Sequence, residues 1–461
     1  MEQFEKIVGM IDGWLWGPWL LVLLFGTHLF ITVRSGFIQR KLGLAIKLSV
    51  TRDDQGSGDV SQFGALTTAL ASTIGTGNIV GVGTAIALGG PGAVLWMWLT
   101  GIFGIATKYA ETLISVKYRV KDEKGAMLGG AWFALERGLK MKWLGVLFAL
   151  FTAIAAFGIG NMTQGNAVAK LFNQEFNVPM WVSGLVLAVL VGVVILGGIK
   201  VITRVCEKLV PFMSALYVLG CIIILIINRA YLGQAIVLIV SAAFTPKALG
   251  GGFVAYAIME AARRGISRGL FSNEAGMGSA PIVAAAAQTR NPARQALVSS
   301  TGVFWDTVVI CLMTGLVVVS SILVPHNNIG ATTDGSVLVH ASFNQIPFIG
   351  SIVLTFGLFT FAFSTILGWS YMGEQGAEYL LGVKSNMPYR ALYTLIVLVG
   401  AIVPLELAWN IADSLNALMI IPNLIAVLLL SGTIAKDTKF WVYGNRIDET
   451  DTTPIPLRTE L

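Results

Sequence analysis

Apolar runs of about twenty residues recur along the chain, and the short polar segments between them alternate between rich and poor in Lys and Arg. A bilayer core about 30 Å thick takes roughly 20 apolar residues as a helix, so each run predicts a membrane span. Eleven are predicted, at 14–33, 65–90, 92–116, 143–171, 178–198, 207–228, 253–287, 296–324, 348–380, 391–405 and 408–432. The loop after the first carries Arg34, Arg40, Lys41, Lys47 and Arg52. Cationic loops stay in the cytoplasm, which puts the N-terminus outside and makes every second loop basic. Lys117, Arg119, Lys121, Lys124, Arg137 and Lys140 follow in phase, then Lys200 and Arg204, Arg290 and Arg294, Lys384 and Arg390, and finally Lys436 and Lys439. The segment 325–347, predicted outside, contains His326, Asp334 and His340 but neither Lys nor Arg. Segment 126–141 reads as a short amphipathic helix at the inner surface, and 444–461 as a polar, mobile cytoplasmic tail. Arg263, Arg264 and Arg268 break the pattern by lying within the seventh run, where a charge needs a wet cavity or a partner.

Composition agrees with a membrane protein: 55% of residues are apolar, 12% are charged and mean hydropathy is +0.76. The net charge of +6 is accounted for by the inside loops, so nucleic acid is not an expected partner. Cys206, Cys221 and Cys311 lie in or beside apolar runs without pairing or metal spacing and read as small apolar residues. Glu2, Glu5 and the lack of a small-residue cleavage pattern argue against a cleavable leader.

Two spans are crowded with glycine. The second contains Ala71 and Ile74 followed by Gly75, Thr76, Gly77, Asn78, Gly81 and Gly83; the seventh contains Phe271, Ser272, Asn273, Glu274, Gly276, Met277, Gly278, Ser279 and Pro281. Each glycine costs a helix about 1 kcal/mol relative to alanine, so both spans are expected to break in mid-membrane. Five spans separate one from the next, and an odd number of crossings inverts the second copy, as in the inverted repeats of secondary transporters. A broken helix exposes N–H groups at one end and C=O groups at the other, a pair of sites suited to a zwitterion and a dehydrated monovalent cation. Close helix packing in the GxxxG manner is the other reading of Gly77 and Gly81.

The stretch from Gly269 to Pro281, with Asn273, Glu274, Gly276, Gly278 and Ser279, resembles the signature of the sodium:alanine symporter family, also called alanine or glycine:cation symporters. That resemblance covers essentially the whole chain and implies a leucine-transporter-like, all-α integral membrane fold of about 11 transmembrane helices. One extra N-terminal helix and linker (1–60) would precede two five-helix repeats (61–230 and 231–435), with a cytoplasmic tail at 436–461. It also implies secondary active import of small neutral amino acids, alanine and glycine, co-transported with sodium across the cell membrane by alternating access.

Residue by residue, it puts Thr76 and Gly77, flanked by Gly75 and Asn78, at the substrate carboxylate. Phe271, Ser272, Asn273, Gly276 and Met277 would form the second broken helix around the ammonium and side chain. The carbonyls of Ala71, Ile74 and Phe361 with the hydroxyls of Ser364 and Thr365 would hold sodium. Trp369, one turn after Thr365, would fill the pocket beside a small side chain; the alternatives are an interface anchor for Trp369 and back-bonding for the two hydroxyls. Gln164, in a polar patch of the fourth span, reaches either the substrate or a neighbouring helix. Asp413 is a candidate partner for Arg263, Arg264 or Arg268 in an outer gate, whereas Glu274 departs from the leucine transporter pattern and Asp306 receives no role.

Proton coupling and a channel remain rival mechanisms, the channel disfavoured because pores usually repeat one loop around an axis. An enzyme is not expected: G-x-x-x-x-G-K-[ST] and HExxH are missing, and the glycines at 75 and 77 lack the third of a dinucleotide fingerprint.

Overall fold

The computed structural model describes residues 2–53, 55–244, 253–325, 327, 329, 334–403 and 405–460. His326, used in the loop argument, lies outside them. Helices coincide with every predicted run, and their starts follow local chemistry. Pro18 opens Pro18–Arg34, the Ser61 hydroxyl accepts the Gly64 N–H ahead of Gln62–Thr73, and Asn291 caps Pro292–Val303 through the Arg294 N–H.

Among the described residues, six helices are long and apolar enough to cross a bilayer alone, or up to eight if two bent pairs each count as one span. Eleven is therefore not reached on length and hydropathy. The three runs that fall short have visible causes: Met180–Ile195 and Asn386–Ile402 are 16 and 17 residues long, and Phe253–Asn273 carries Glu260 and three arginines before it breaks. One apolar helix, Arg229–Phe244, occupies a stretch for which the sequence pattern predicted no element.

The helices pack around a large apolar core that includes Tyr109, Trp132, Phe148, Phe361 and Trp369, while large apolar side chains also cover the outside. Val22 and Val193 are each 72% exposed, as expected of a surface solvated by lipid tails rather than water.

Two surface expectations need correction. Segment 126–141 opens as a hairpin, Val120–Lys121 against Met127–Leu128, and is helical only from Ala131 to Gly138. Its apolar residues Trp132, Phe133 and Leu135 are buried in the protein, so this is a packed element and not a helix lying on a membrane. The tail is fastened instead of mobile: Asn291 Nδ2 donates to the carbonyls of Ile447 and Glu449 at 2.9 Å, the Lys121 N–H donates to Pro456 O at 2.9 Å, and Arg458 donates to Glu378 O at 2.9 Å. Asn291 and the Lys121 N–H thereby satisfy carbonyls of the tail, while the tail's own Arg458 reaches back to a carbonyl at the end of helix Gly350–Leu381.

Candidate functional site

The first break follows from residues 74–76. Gln62–Thr73 ends where Ile74 turns extended (φ −75°, ψ 96°), and the chain resumes as Gly77–Gly89, bent by 53° and opening with a wide turn through Gly81. Asn78 folds back to close the gap, its Oδ1 accepting the Gly75 N–H at 2.9 Å. The second break follows Phe253–Asn273: Glu274, Gly276 and Gly278 take φ of 53°, 97° and 76° before Ala280–Ala284 resumes the helix. Glycine enters the left-handed region without steric cost, which explains two of these three residues.

The breaks lie against each other. A Cβ placed on Gly77 would sit 3.0 Å from Phe271 Cδ1 and 3.6 Å from Ser272 Cα, so the backbones meet where glycine leaves room. Asp306, for which the sequence pattern suggested no role, clasps both. Its Oδ1 accepts from Asn78 Nδ2 at 2.7 Å and its Oδ2 from Ser272 Oγ at 2.8 Å, with Thr307 Oγ1 adding a third bond at 2.6 Å.

Sequence reading also missed the brace behind the second break. Lys108 and Glu111 lie three residues apart, on one face of Ala93–Lys117. Lys108 Nζ donates to Glu274 O at 3.0 Å, and Glu111 Oε1 accepts the Gly276 N–H at 2.6 Å and Asn423 Nδ2 at 2.7 Å. Ser115 Oγ, one turn on, donates to Pro281 O at 2.9 Å. Backbone groups freed by unwinding are thus paired with side chains. The signal was present in the sequence, since two charges at i, i+3 inside an apolar run imply a buried polar partner.

Five oxygens gather between the first break and helix Gly350–Leu381. Ser364 Oγ lies 3.2 Å from Ala71 O and 2.9 Å from Phe361 O, and Thr365 Oγ1 lies 3.4 Å from Ile74 O and 2.9 Å from Phe361 O. None carries a formal charge. Beside them Gly75 faces Thr365 Oγ1 and Gln164 Oε1, at 2.6 and 3.6 Å from a Cβ placed there. Gln164 Nε2 donates to Ile159 O at 3.1 Å, but among the described residues the buried Gln164 Oε1 and Thr76 Oγ1 have no hydrogen-bond partner.

Trp369 is fully buried; its Cβ lies 2.1 Å from where a Cβ of Gly160 would be, and its Nε1 donates to Glu274 Oε1 at 2.9 Å. Of the other candidates, Asn78 spends its side chain on Gly75 and Asp306, and Asn273 spends its own on Thr307 Oγ1 (3.1 Å) and the Ala275 N–H (2.9 Å). Met277 is buried within the second break. Arg264 pairs with Glu260 at 2.6 Å, Arg263 approaches the same carboxylate at 3.9 Å, and Arg268 stacks 5.5 Å from the centre of the Phe271 ring while lying within electrostatic reach of Asp413. Among the described residues no ion pair joins any of them to Asp413, whose carbonyl accepts from Trp16 Nε1 at 3.0 Å.

Comparison with known proteins bears on this arrangement. The family model described as "Sodium:alanine symporter family" matches residues 1–453. A protein of Methanococcus maripaludis named sodium/alanine symporter AgcS is 49% identical over 444 residues, covering 95% of this chain and 97% of its own. A probable sodium/glutamine symporter of Bacillus subtilis, GlnT, is 35% identical over 441 residues, covering 94% and 90%. Among solved structures, that of MhsT in complex with L-phenylalanine superposes with a TM-score of 0.62 at 17% identity, covering 86% of this chain and 94% of that one, a likeness of fold.

Proposed function

From the premise that the chain belongs to the sodium:alanine symporter family and is a sodium-coupled amino-acid symporter, we propose that it imports alanine and glycine with sodium bound by the five oxygens of Ala71, Ile74, Phe361, Ser364 and Thr365. The observation that carries this reading is the meeting of the two carbonyls of the first break with the two hydroxyls of the other helix. Three carbonyls and two hydroxyls suit a dehydrated monovalent cation, whereas a divalent ion is normally met by carboxylates. None of the five titrates near neutral pH, so this set favours sodium over a proton.

The substrate lies beside the ion. The N–H groups of Thr76 and Gly77 stand at the start of a helix, where they lack intrahelical partners, and with the Thr76 hydroxyl they take the carboxylate. Gln164 Oε1 accepts from the ammonium, together with carbonyls of the Phe271 and Ser272 region. Trp369 closes the side-chain end and limits it to alanine or glycine. Sodium ties residues 71–74 to Ser364 and Thr365 and so pre-forms the pocket; linkage requires the substrate to tighten sodium by the same factor. Repeats 61–230 and 231–435 then rock around the shared site, with the N-terminus outside and the tail in the cytoplasm of the cell that bears it.

Purified protein in liposomes tests this directly. Alanine and glycine uptake is expected to follow an imposed sodium gradient and to stop when choline replaces sodium; uptake that ignores sodium and follows a pH gradient would overturn the assignment. Trp369→Ala is expected to admit leucine-sized substrates, gaining about tenfold or more in their rate relative to alanine. An unaltered range would remove Trp369 from the pocket.

A further inference from the structure

We propose that Glu274 is a positioning residue for Trp369, its carboxylate holding the indole as a fixed wall and so setting the largest side chain the carrier accepts. This rests on the reading of Trp369 as part of the substrate pocket. Nothing about a glutamate inside an apolar run is cheap, and this one sits in a backbone conformation that non-glycine residues rarely take. That conformation lets its three acceptors work in different directions. The backbone oxygen receives Lys108 Nζ at 3.0 Å, Oε2 receives the Ser279 hydroxyl, and Oε1 receives Trp369 Nε1 at 2.9 Å. The first two contacts secure the glutamate to its own break and to the brace behind it. The third is different in kind, because it crosses to helix Gly350–Leu381, which also carries Ser364 and Thr365.

On its other side Trp369 has no freedom to retreat. A Cβ at Gly160 would overlap Trp369 Cβ and Cγ at 2.1 and 2.3 Å, so the root of the side chain is seated directly on that backbone. The backbone is held in turn by Tyr393, whose hydroxyl donates to Gly160 O at 2.9 Å and lies 3.2 Å from Ile366 O. What remains is rotation of the ring about its side-chain torsions. An indole has one N–H, and here Glu274 occupies it, buried from water where a donor left without an acceptor is costly. Without that bond the ring would populate other rotamers, and a pocket with a movable wall discriminates poorly by size.

Two substitutions separate positioning from a role in folding the break. Glu274→Gln keeps an oxygen for the indole and offers an amide to Ser279 Oγ; Glu274→Met has similar length and no comparable acceptor. In liposomes with a sodium gradient, Glu274→Gln is expected to retain the wild-type ratio of leucine to alanine uptake, and Glu274→Met to raise it by roughly tenfold. Trp369→Phe, which deletes the N–H, is expected to widen the range similarly, and its combination with Glu274→Met to widen it no further. A Glu274→Met protein that transports with the wild-type ratio would overturn the proposal, as would additive effects in the double variant. Should Glu274→Met fail to fold, an unchanged ratio in Trp369→Phe overturns it equally. Wild-type protein lacking sodium-driven alanine uptake would instead strike the functional reading, leaving these ratios undefined, so the two failures are distinguishable.

Discussion

Ser364→Ala combined with Thr365→Ala is expected to raise the sodium concentration for half-maximal alanine uptake by at least about tenfold, equivalent to about 1.4 kcal/mol of lost ion binding. The double variant removes two of the five oxygens gathered between the first break and helix Gly350–Leu381 and leaves the carbonyls of Ala71, Ile74 and Phe361 in place. Those carbonyls belong to the backbone and cannot move inward far enough to replace the missing ligands. Stability should suffer modestly, because what each hydroxyl loses within its own helix is a single contact worth about 0.5 to 1.5 kcal/mol. Sodium-titrated uptake or isothermal binding reads the effect. Reciprocity adds a second readout: alanine affinity must fall when measured at low sodium and recover when sodium is saturating. An unchanged sodium response would remove both residues from the ion site.

How much of this was legible beforehand depended on what kind of force fixes each residue. The broken helices could be read from glycine density, because clustered glycines weaken a helix whatever each is for: Gly276 and Gly278 take left-handed backbone, and Gly75 and Gly77 leave room for Thr365 and Phe271. Membrane runs could be read from hydropathy for the same local reason. The helix Arg229–Phe244 escaped because Arg229, Gly233 and Gln234 interrupt its first half, leaving only a short apolar run from Ala235 to Phe244. The anchored tail escaped because its order comes from Asn291, Lys121 and the carbonyls of Glu378 and Tyr379, all remote in sequence. The same holds for Glu274 and Trp369, whose contact spans 95 positions. Hydroxyls that help form the oxygen cluster were anticipated by resemblance rather than by pattern, since Ser and Thr inside a helix usually satisfy themselves on the preceding turn, as Ser364 and Thr365 also do here.

Asp306 shows the limit most sharply and carries the second large prediction. A lone carboxylate in an apolar run signals that something buried needs it, but not what. In the folded protein three donors converge on it, from Asn78 in the first break, Ser272 beside the second, and its neighbour Thr307. Asp306→Ala strands these donors in an environment without water, at about 1 to 3 kcal/mol for each that finds no substitute, and unties the two broken helices from each other. A loss of about 3 kcal/mol or more is expected, together with transport reduced to background. Asp306→Asn should fall between, since its single carbonyl oxygen still accepts from Asn78 Nδ2 while the amide competes with the hydroxyls of Ser272 and Thr307, which can rotate to accept instead. Thermal unfolding of the purified variants in detergent, with and without alanine and sodium, measures the first effect, and liposome uptake the second. If Asp306→Ala unfolded at the wild-type temperature and still transported alanine, the two breaks would have to be held together by packing alone, and the clasp would have no energetic role.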